Sequence, residues 1–120
     1  MVSVVGAIQA GRTQCAVHAF DHRAVVRVRN LAPGLPTGIL LEARLVDPVA
    51  ALRAAGATDL WQQWKMIDEE LVAAVQGAGG RVIAWTVNDT AAAEELIRMG
   101  VDGVCTDLPG EMRRNVPVER

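Results

Sequence analysis

The sequence predicts an α/β fold built on a parallel sheet, and three features carry the prediction. Short runs rich in Val, Ile and Leu recur along the 120 residues, each too short for a helix. Segments with apolar residues at helical spacing separate them. Most of those segments open at an Asp, and several close at a Gly. Unbroken apolar runs fit strands covered on both faces, and regular alternation with helices joins such strands by right-handed crossovers.

The first strand is expected over residues 14–20. Asp21 then caps a helix that runs through Leu31 and stops ahead of Pro33, with Val25, Val28 and Leu31 turned inward. A second strand fits residues 37–43. Asp47 followed by Pro48 is a cap with proline at the first helical position, and Gly56 closes that helix. Residues 57–61 read as a weaker strand. Asp68, Glu69 and Glu70 place acids in the first turn of a helix reaching about Gly77. Residues 81–87 form the strongest strand. Asp89 caps a fourth helix, with Ala92, Leu96 and Met99 inward and Gly100 closing it. A strand over residues 101–106 and a short helix after Pro109 complete the chain, and the polar tail beyond Arg114 is expected to fray.

Two stretches echo one another. Asp47, Ala50, Ala51, Leu52, Gly56 and Asp59 recur as Asp89, Ala92, Ala93, Leu96, Gly100 and Asp102. Each copy reads cap, Ala-rich helix, glycine stop and next strand. Repeated βα units of this kind build a (β/α) barrel or an open wound sheet with helices on both faces. No linker interrupts the pattern, so residues 1–120 read as a single domain.

Composition narrows the function classes. The chain is 51% hydrophobic and 22% charged, with a net charge of −2. That balance is neither the charge excess of a disordered chain nor the basic footprint of a nucleic-acid binder. No apolar run approaches the ~20 residues of a membrane-spanning helix, and residues 1–10 lack the basic start of a secretory signal. Cys15 and Cys105 lie in runs read as strands, so two buried thiols of a reduced, cytoplasmic protein are expected. With His18 and His22 as the only histidines, no metal-ligand spacing appears.

Few residues stand out as site candidates. Gly77-Ala78-Gly79-Gly80 has the look of a phosphate loop, but it follows a helix and precedes a strand, so it reads as a helix stop. His18 in a strand and His22 at a helix start read as structural. Trp61 and Trp64 read as packing residues. Trp85 is different, because Thr86, Asn88 and Asp89 crowd the carboxyl end of its strand, the end where βα proteins place their sites. Phe20-Asp21-His22 and Thr106-Asp107 fall at the same end.

Longer strings carry a resemblance. Residues 17–22 read Val-His-Ala-Phe-Asp-His, residues 37–41 Thr-Gly-Ile-Leu-Leu, and residues 85–89 Trp-Thr-Val-Asn-Asp. Residues 100–109 read Gly-Val-Asp-Gly-Val-Cys-Thr-Asp-Leu-Pro. Over about residues 15–112 the chain resembles the carboxyl-terminal half of the glycerophosphodiester phosphodiesterase family. The resemblance implies part of a (β/α)8 barrel, and the hydrolysis of glycerophosphodiesters to glycerol 3-phosphate and an alcohol in lipid metabolism, with a divalent metal such as Ca²⁺ or Mg²⁺.

It also implies that most of the chemistry comes from the other half. The family's His-Arg-Gly is not matched by His22-Arg23, which Ala24 follows. No Glu-x-Asp ends a strand, Lys65 is the sole lysine, and Ala19 stands where the family's Ser precedes Phe. Phe20 and Trp85 are therefore carried over as walls of the substrate pocket, with Asn88 as their neighbour. No catalytic residue, metal ligand or cofactor is assigned to this chain. The alternative is a non-catalytic remnant that binds or assembles. Five strands are little more than half of an eight-stranded barrel, so inward residues such as Ile39, Leu41, Val82 and Ile83 are expected to lie bare. The chain is then expected to form a homodimer or a complex with a missing half, and to meet its substrate only when completed.

Overall fold

The computed structural model describes residues 14–116. Five parallel strands lie in the order of the sequence: β1 (Val17–Ala19), β2 (Thr37–Leu41), β3 (Asp59–Gln63), β4 (Arg81–Trp85) and β5 (Gly103–Val104). The helices are α1 (His22–Leu31), α2 (Pro48–Ala55), α3 (Glu69–Gly77), α4 (Thr90–Met99) and α5 (Pro109–Asn115). A 3-10 turn, Trp64–Met66, lies between β3 and α3. The sequence order never reverses, so right-handed crossovers put every connecting helix on the same side. This is the winding of a barrel segment, and it replaces the alternative of an open sheet with helices on both faces.

The caps follow the sequence. Asp21, Asp47, Asp68 and Asp89 each accept a backbone N–H in the first turn of the helix they open. Gly56 and Gly100 close α2 and α4 at φ of 62° and 93°, a backbone region that residues with a Cβ rarely enter. Gly79 plays its part in the stop before β4: its N–H goes to the Gln76 carbonyl, and that of Gly80 to Val75.

One face of the sheet packs on the helices. Ile39, Leu60 and Val82 form a row across β2, β3 and β4, and all three are fully buried with Val25, Leu71 and Val75. Three residues expected to point inward thus point outward: Ile39, Leu41 and Val82 lie under the helices, and only Ile83 faces the other side. Successive strand residues alternate faces, and an unbroken apolar run gives no sign of which face is which.

Other expectations shift. β3 runs two residues later than its apolar run, because Gln62 and Gln63 pair with β4 although they are polar. β2 ends at Leu41, not Ala43. The carbonyls of Leu41, Glu42 and Ala43 accept from the Gln62 side-chain amide at 3.1–3.4 Å, in place of a strand partner. Only residues 17–19 and 103–104 of the outer runs form strands. Cys15 therefore falls ahead of β1 and is exposed, and Cys105 falls just past β5 and is half-buried, so neither is the core thiol expected. Leu31 ends α1 exposed, because the apolar stripe is carried by Val25 and Val28 alone. The tail is ordered further than expected, since Asn115 ends α5 and Val116 is buried. The rest of it and the start of the chain, including the region judged for a secretory signal, lie outside the described residues.

Candidate functional site

The face turned away from the helices is the concave one. Its first row is His18, Gly38, Asp59 and Arg81, and its second includes Leu40, Trp61, Ile83 and Gly103. Trp85 follows on β4, and Phe20 stands just past β1. The Phe20 and Trp85 rings meet edge to face, with centroids 5.6 Å apart and planes at 81°. In a flat sheet, strands three places apart are separated by about 14 Å. Contact between a residue of the first strand's end and one on the fourth requires the sheet to curl. The curl brings the two carried-over wall residues together at the carboxyl end, where the sequence placed them.

Below that pair the concave face is filled by its own side chains. His18 stacks flat on Trp61, with centroids 4.0 Å apart and planes at 14°. A Cβ at Gly38 would lie 2.8 Å from Trp61 Cδ1, so glycine there makes room for the indole. Trp85 Nε1 donates to the Trp61 carbonyl at 2.9 Å, which fixes the ring that Phe20 meets. Asp59, 3% exposed, accepts both guanidinium arms of Arg81 at 2.8 and 2.7 Å and closes the amino-terminal end of the face. Burial pushes the His18 pKa below its ordinary value, with the Asp59 charge opposing. Trp61 is thus a half-buried organiser of the concave face, a role that its place in a weak apolar run did not disclose.

Asn88 does not join the aromatic pair through any hydrogen bond described. Its Oδ1 accepts from Thr106 Oγ1 at 3.1 Å and from the Asp107 backbone at 3.0 Å, and its Nδ2 donates to Asp107 Oδ2 at 3.0 Å. It ties the end of β4 to the end of β5. His22 sits over β2, its Nε2 3.2 Å from the Leu40 carbonyl.

Among the described residues, no three His, Cys, Asp or Glu side chains gather at one point. Asp107 is engaged by Asn88, Asp59 by Arg81, and Asp21 by Arg23. No step through a metal is assigned to these residues. What the arrangement offers is an apolar, aromatic wall at a half-open mouth. A cavity of about 520 Å³ lies elsewhere, between α4, β5 and α5, lined by Ile97, Val101, Val104, Pro109, Met112 and Val116; it includes none of the wall residues.

Comparison with known proteins gives one consistent result. The model of the glycerophosphoryl diester phosphodiesterase family matches residues 1–111. A glycerophosphodiester phosphodiesterase of Caldanaerobacter subterraneus is 32% identical over 93 residues, 78% of this chain but only 38% of that relative. The crystal structure of a glycerophosphodiester phosphodiesterase from Parabacteroides distasonis superposes with a TM-score of 0.78 at 27% identity, over 94% of this chain and 47% of the other. An Oleispira antarctica phosphodiesterase, solved with the product sn-glycerol-3-phosphate, shares the fold with a TM-score of 0.87 at 22% identity, over 95% of this chain and 47% of the other. The chain thus spans about two-fifths of the length of the curated relative and less than half of either solved structure.

Proposed function

The chain belongs to the glycerophosphoryl diester phosphodiesterase family, and from that premise we propose that it forms the carboxyl-terminal part of a barrel that hydrolyses glycerophosphodiesters to glycerol 3-phosphate and an alcohol. Its contribution is the wall of the substrate pocket. Phe20 and Trp85 present apolar surface to the carbon skeleton of the substrate, and Asn88 holds the neighbouring loop in place. The observation that carries this reading is the edge-to-face contact of Phe20 with Trp85 across the mouth.

Phosphodiester hydrolysis needs a group to activate water and another to protonate the leaving alkoxide, and hard oxygen ligands to hold a divalent ion. In this reading those groups come from the remaining strands of the barrel. The completing polypeptide would pair with the open edges of β1 and β5, whose backbone groups lack a neighbouring strand in the described sheet. A second copy of the chain is the alternative partner at those edges. A cytoplasmic setting belongs to the same reading; it is supported by two cysteines whose spacing suggests no disulfide framework. Among the described residues no helix is long and apolar enough to cross a membrane.

The test joins this chain to the amino-terminal portion of the Caldanaerobacter relative and measures glycerol 3-phosphate release. The expected result is turnover, with Phe20→Ala and Trp85→Ala raising KM more than they lower kcat. A folded chimera without turnover would favour the second reading, a non-catalytic assembly domain. That reading rests on the pairing of the Asp59 carboxylate with Arg81 and on the Asn88 amide donated to Asp107.

A further inference from the structure

We infer that one internal water molecule is bound beneath the loop that follows β2, where it joins the Arg44 guanidinium to the Gln62 side-chain amide. Two side-chain polar atoms are buried and have no hydrogen-bond partner among the described residues, Arg44 Nη1 and Gln62 Oε1. A buried polar group without a partner is costly, and native proteins keep few of them. The two atoms are complementary, since one is a donor and the other an acceptor. They also belong to one turn of the structure. Gln62 Nε2 donates to the carbonyls of Leu41, Glu42 and Ala43 at 3.3, 3.4 and 3.1 Å, and Arg44 is the next residue.

Gln62 gains nothing by turning its amide over. Exchange of Nε2 and Oε1 would set an oxygen against three carbonyl oxygens. The three carbonyls thus fix the nitrogen on their side and leave Oε1 facing away from them. Gln62 is fully buried, and its neighbours in register, Leu41 on β2 and Ala84 on β4, are buried and carry no side-chain donor. Arg44 is held more loosely. Its ion-pair partner, Asp68 Oδ1, stands 3.6 Å from Nη2, beyond hydrogen-bond range, and already takes the Leu71 N–H at 2.8 Å. The guanidinium is therefore not drawn tight onto the α3 cap, and Nη1 is left to another acceptor.

The chemistry of the pair selects the ligand. A chloride or other anion would accept from Arg44 Nη1 but repel Gln62 Oε1. A metal cation would suit the amide oxygen but be repelled by the guanidinium. A water molecule accepts from Nη1 and donates to Oε1, with one proton and one lone pair to spare. It closes a network that runs from Gln62 on β3, through the carbonyls after β2 and Arg44, to the Asp68 cap of α3. The network ties down the start of the loop between β2 and α2, at the end of the sheet that carries Phe20 and Trp85.

The experiment is oxygen-17 magnetic relaxation dispersion of the full chain in solution, which counts waters held for longer than the molecule takes to tumble. The expected result is an amplitude smaller by one water in Arg44→Met than in the parent. Arg53→Met, at an exposed arginine of α2, should leave it unchanged. A crystal structure of the parent grown from a bromide salt is the second measurement, and it needs no variant to fold. It should show a single water within hydrogen-bond distance of both Arg44 Nη1 and Gln62 Oε1, with no anomalous bromide signal there. An equal amplitude in the parent and Arg44→Met, a bromide at the site, a direct bond between Arg44 and Gln62, or separate waters on the two atoms would each overturn the inference. None of these outcomes depends on whether a completed barrel is active.

Discussion

Phe20 and Trp85 touch across four strands of sheet, with centroids 5.6 Å apart. Phe20 is 57% exposed, while Trp85 is half-buried and anchored by its Nε1 hydrogen bond to Trp61. Their removal should therefore differ in cost. Phe20→Ala should destabilise by less than about 1 kcal/mol, and Trp85→Ala by about 1–3 kcal/mol, below the loss for a fully buried Trp. Urea unfolding of the two variants checks the order; equal and large losses would mean that the rings form a closed core rather than a wall.

Gly38 holds the space into which Trp61 lies. Gly38→Ala would put a Cβ 2.8 Å from Trp61 Cδ1, with the Asp59 carbonyl at 3.1 Å on the other side. The indole must move off His18, at a cost of about 1–3 kcal/mol. The near-ultraviolet circular dichroism of Trp61 should fall with it. An unchanged spectrum would show that the ring has freedom the stack denies it.

Asp59 and Arg81 form a pair in which the carboxylate side chain is buried and the Arg81 side chain is 56% exposed. Arg81→Met should cost about 1–3 kcal/mol, because it leaves a buried charge with a single remaining side-chain donor, Thr58 Oγ1. Asp59→Asn with Arg81→Met should recover part of the loss. Thermal melts of the single and double variants measure the coupling, and additive losses would contradict it.

His18 gives a pH signature. Its pKa is lowered from 6.5, first by burial, with Asp59 opposing. The unfolded chain then takes up the proton more readily than the native one. The His18 contribution is full at neutral pH, declines as pH falls below about 6.5, and levels off below the lowered native value. The difference in melting temperature between wild type and His18→Gln should therefore change across that window. A constant difference would mean that the stack on Trp61 leaves the imidazole titrating normally.

Helices were more legible than strands, for a physical reason. A cap is a local event: Asp21, Asp47, Asp68 and Asp89 bond to N–H groups two or three residues away, and sequence spacing displays that directly. Strand limits are set by distant partners. Gln62 belongs to β3 because of Ala84, and its amide ends β2 at Leu41 by taking the carbonyls of Leu41, Glu42 and Ala43. The placing of Phe20 and Trp85 at the same end of the sheet was legible through the strings around them, Phe20 before a cap and Trp85 at a strand's end. The stack of His18 on Trp61 was not, because it joins strands two places apart and depends on the absent Cβ of Gly38.

In the proposed function, Phe20 and Trp85 form the wall of a phosphodiesterase pocket whose chemistry depends on further strands. The direct measurement is glycerol 3-phosphate release from glycerophosphocholine in the presence of Ca²⁺ or Mg²⁺. It is made on the 120-residue chain alone and after mixing with a separately expressed amino-terminal portion of the Caldanaerobacter relative. The expected result is no turnover by the chain alone and turnover on mixing, reduced in Trp85→Ala. Metal-dependent turnover by the chain alone would contradict it.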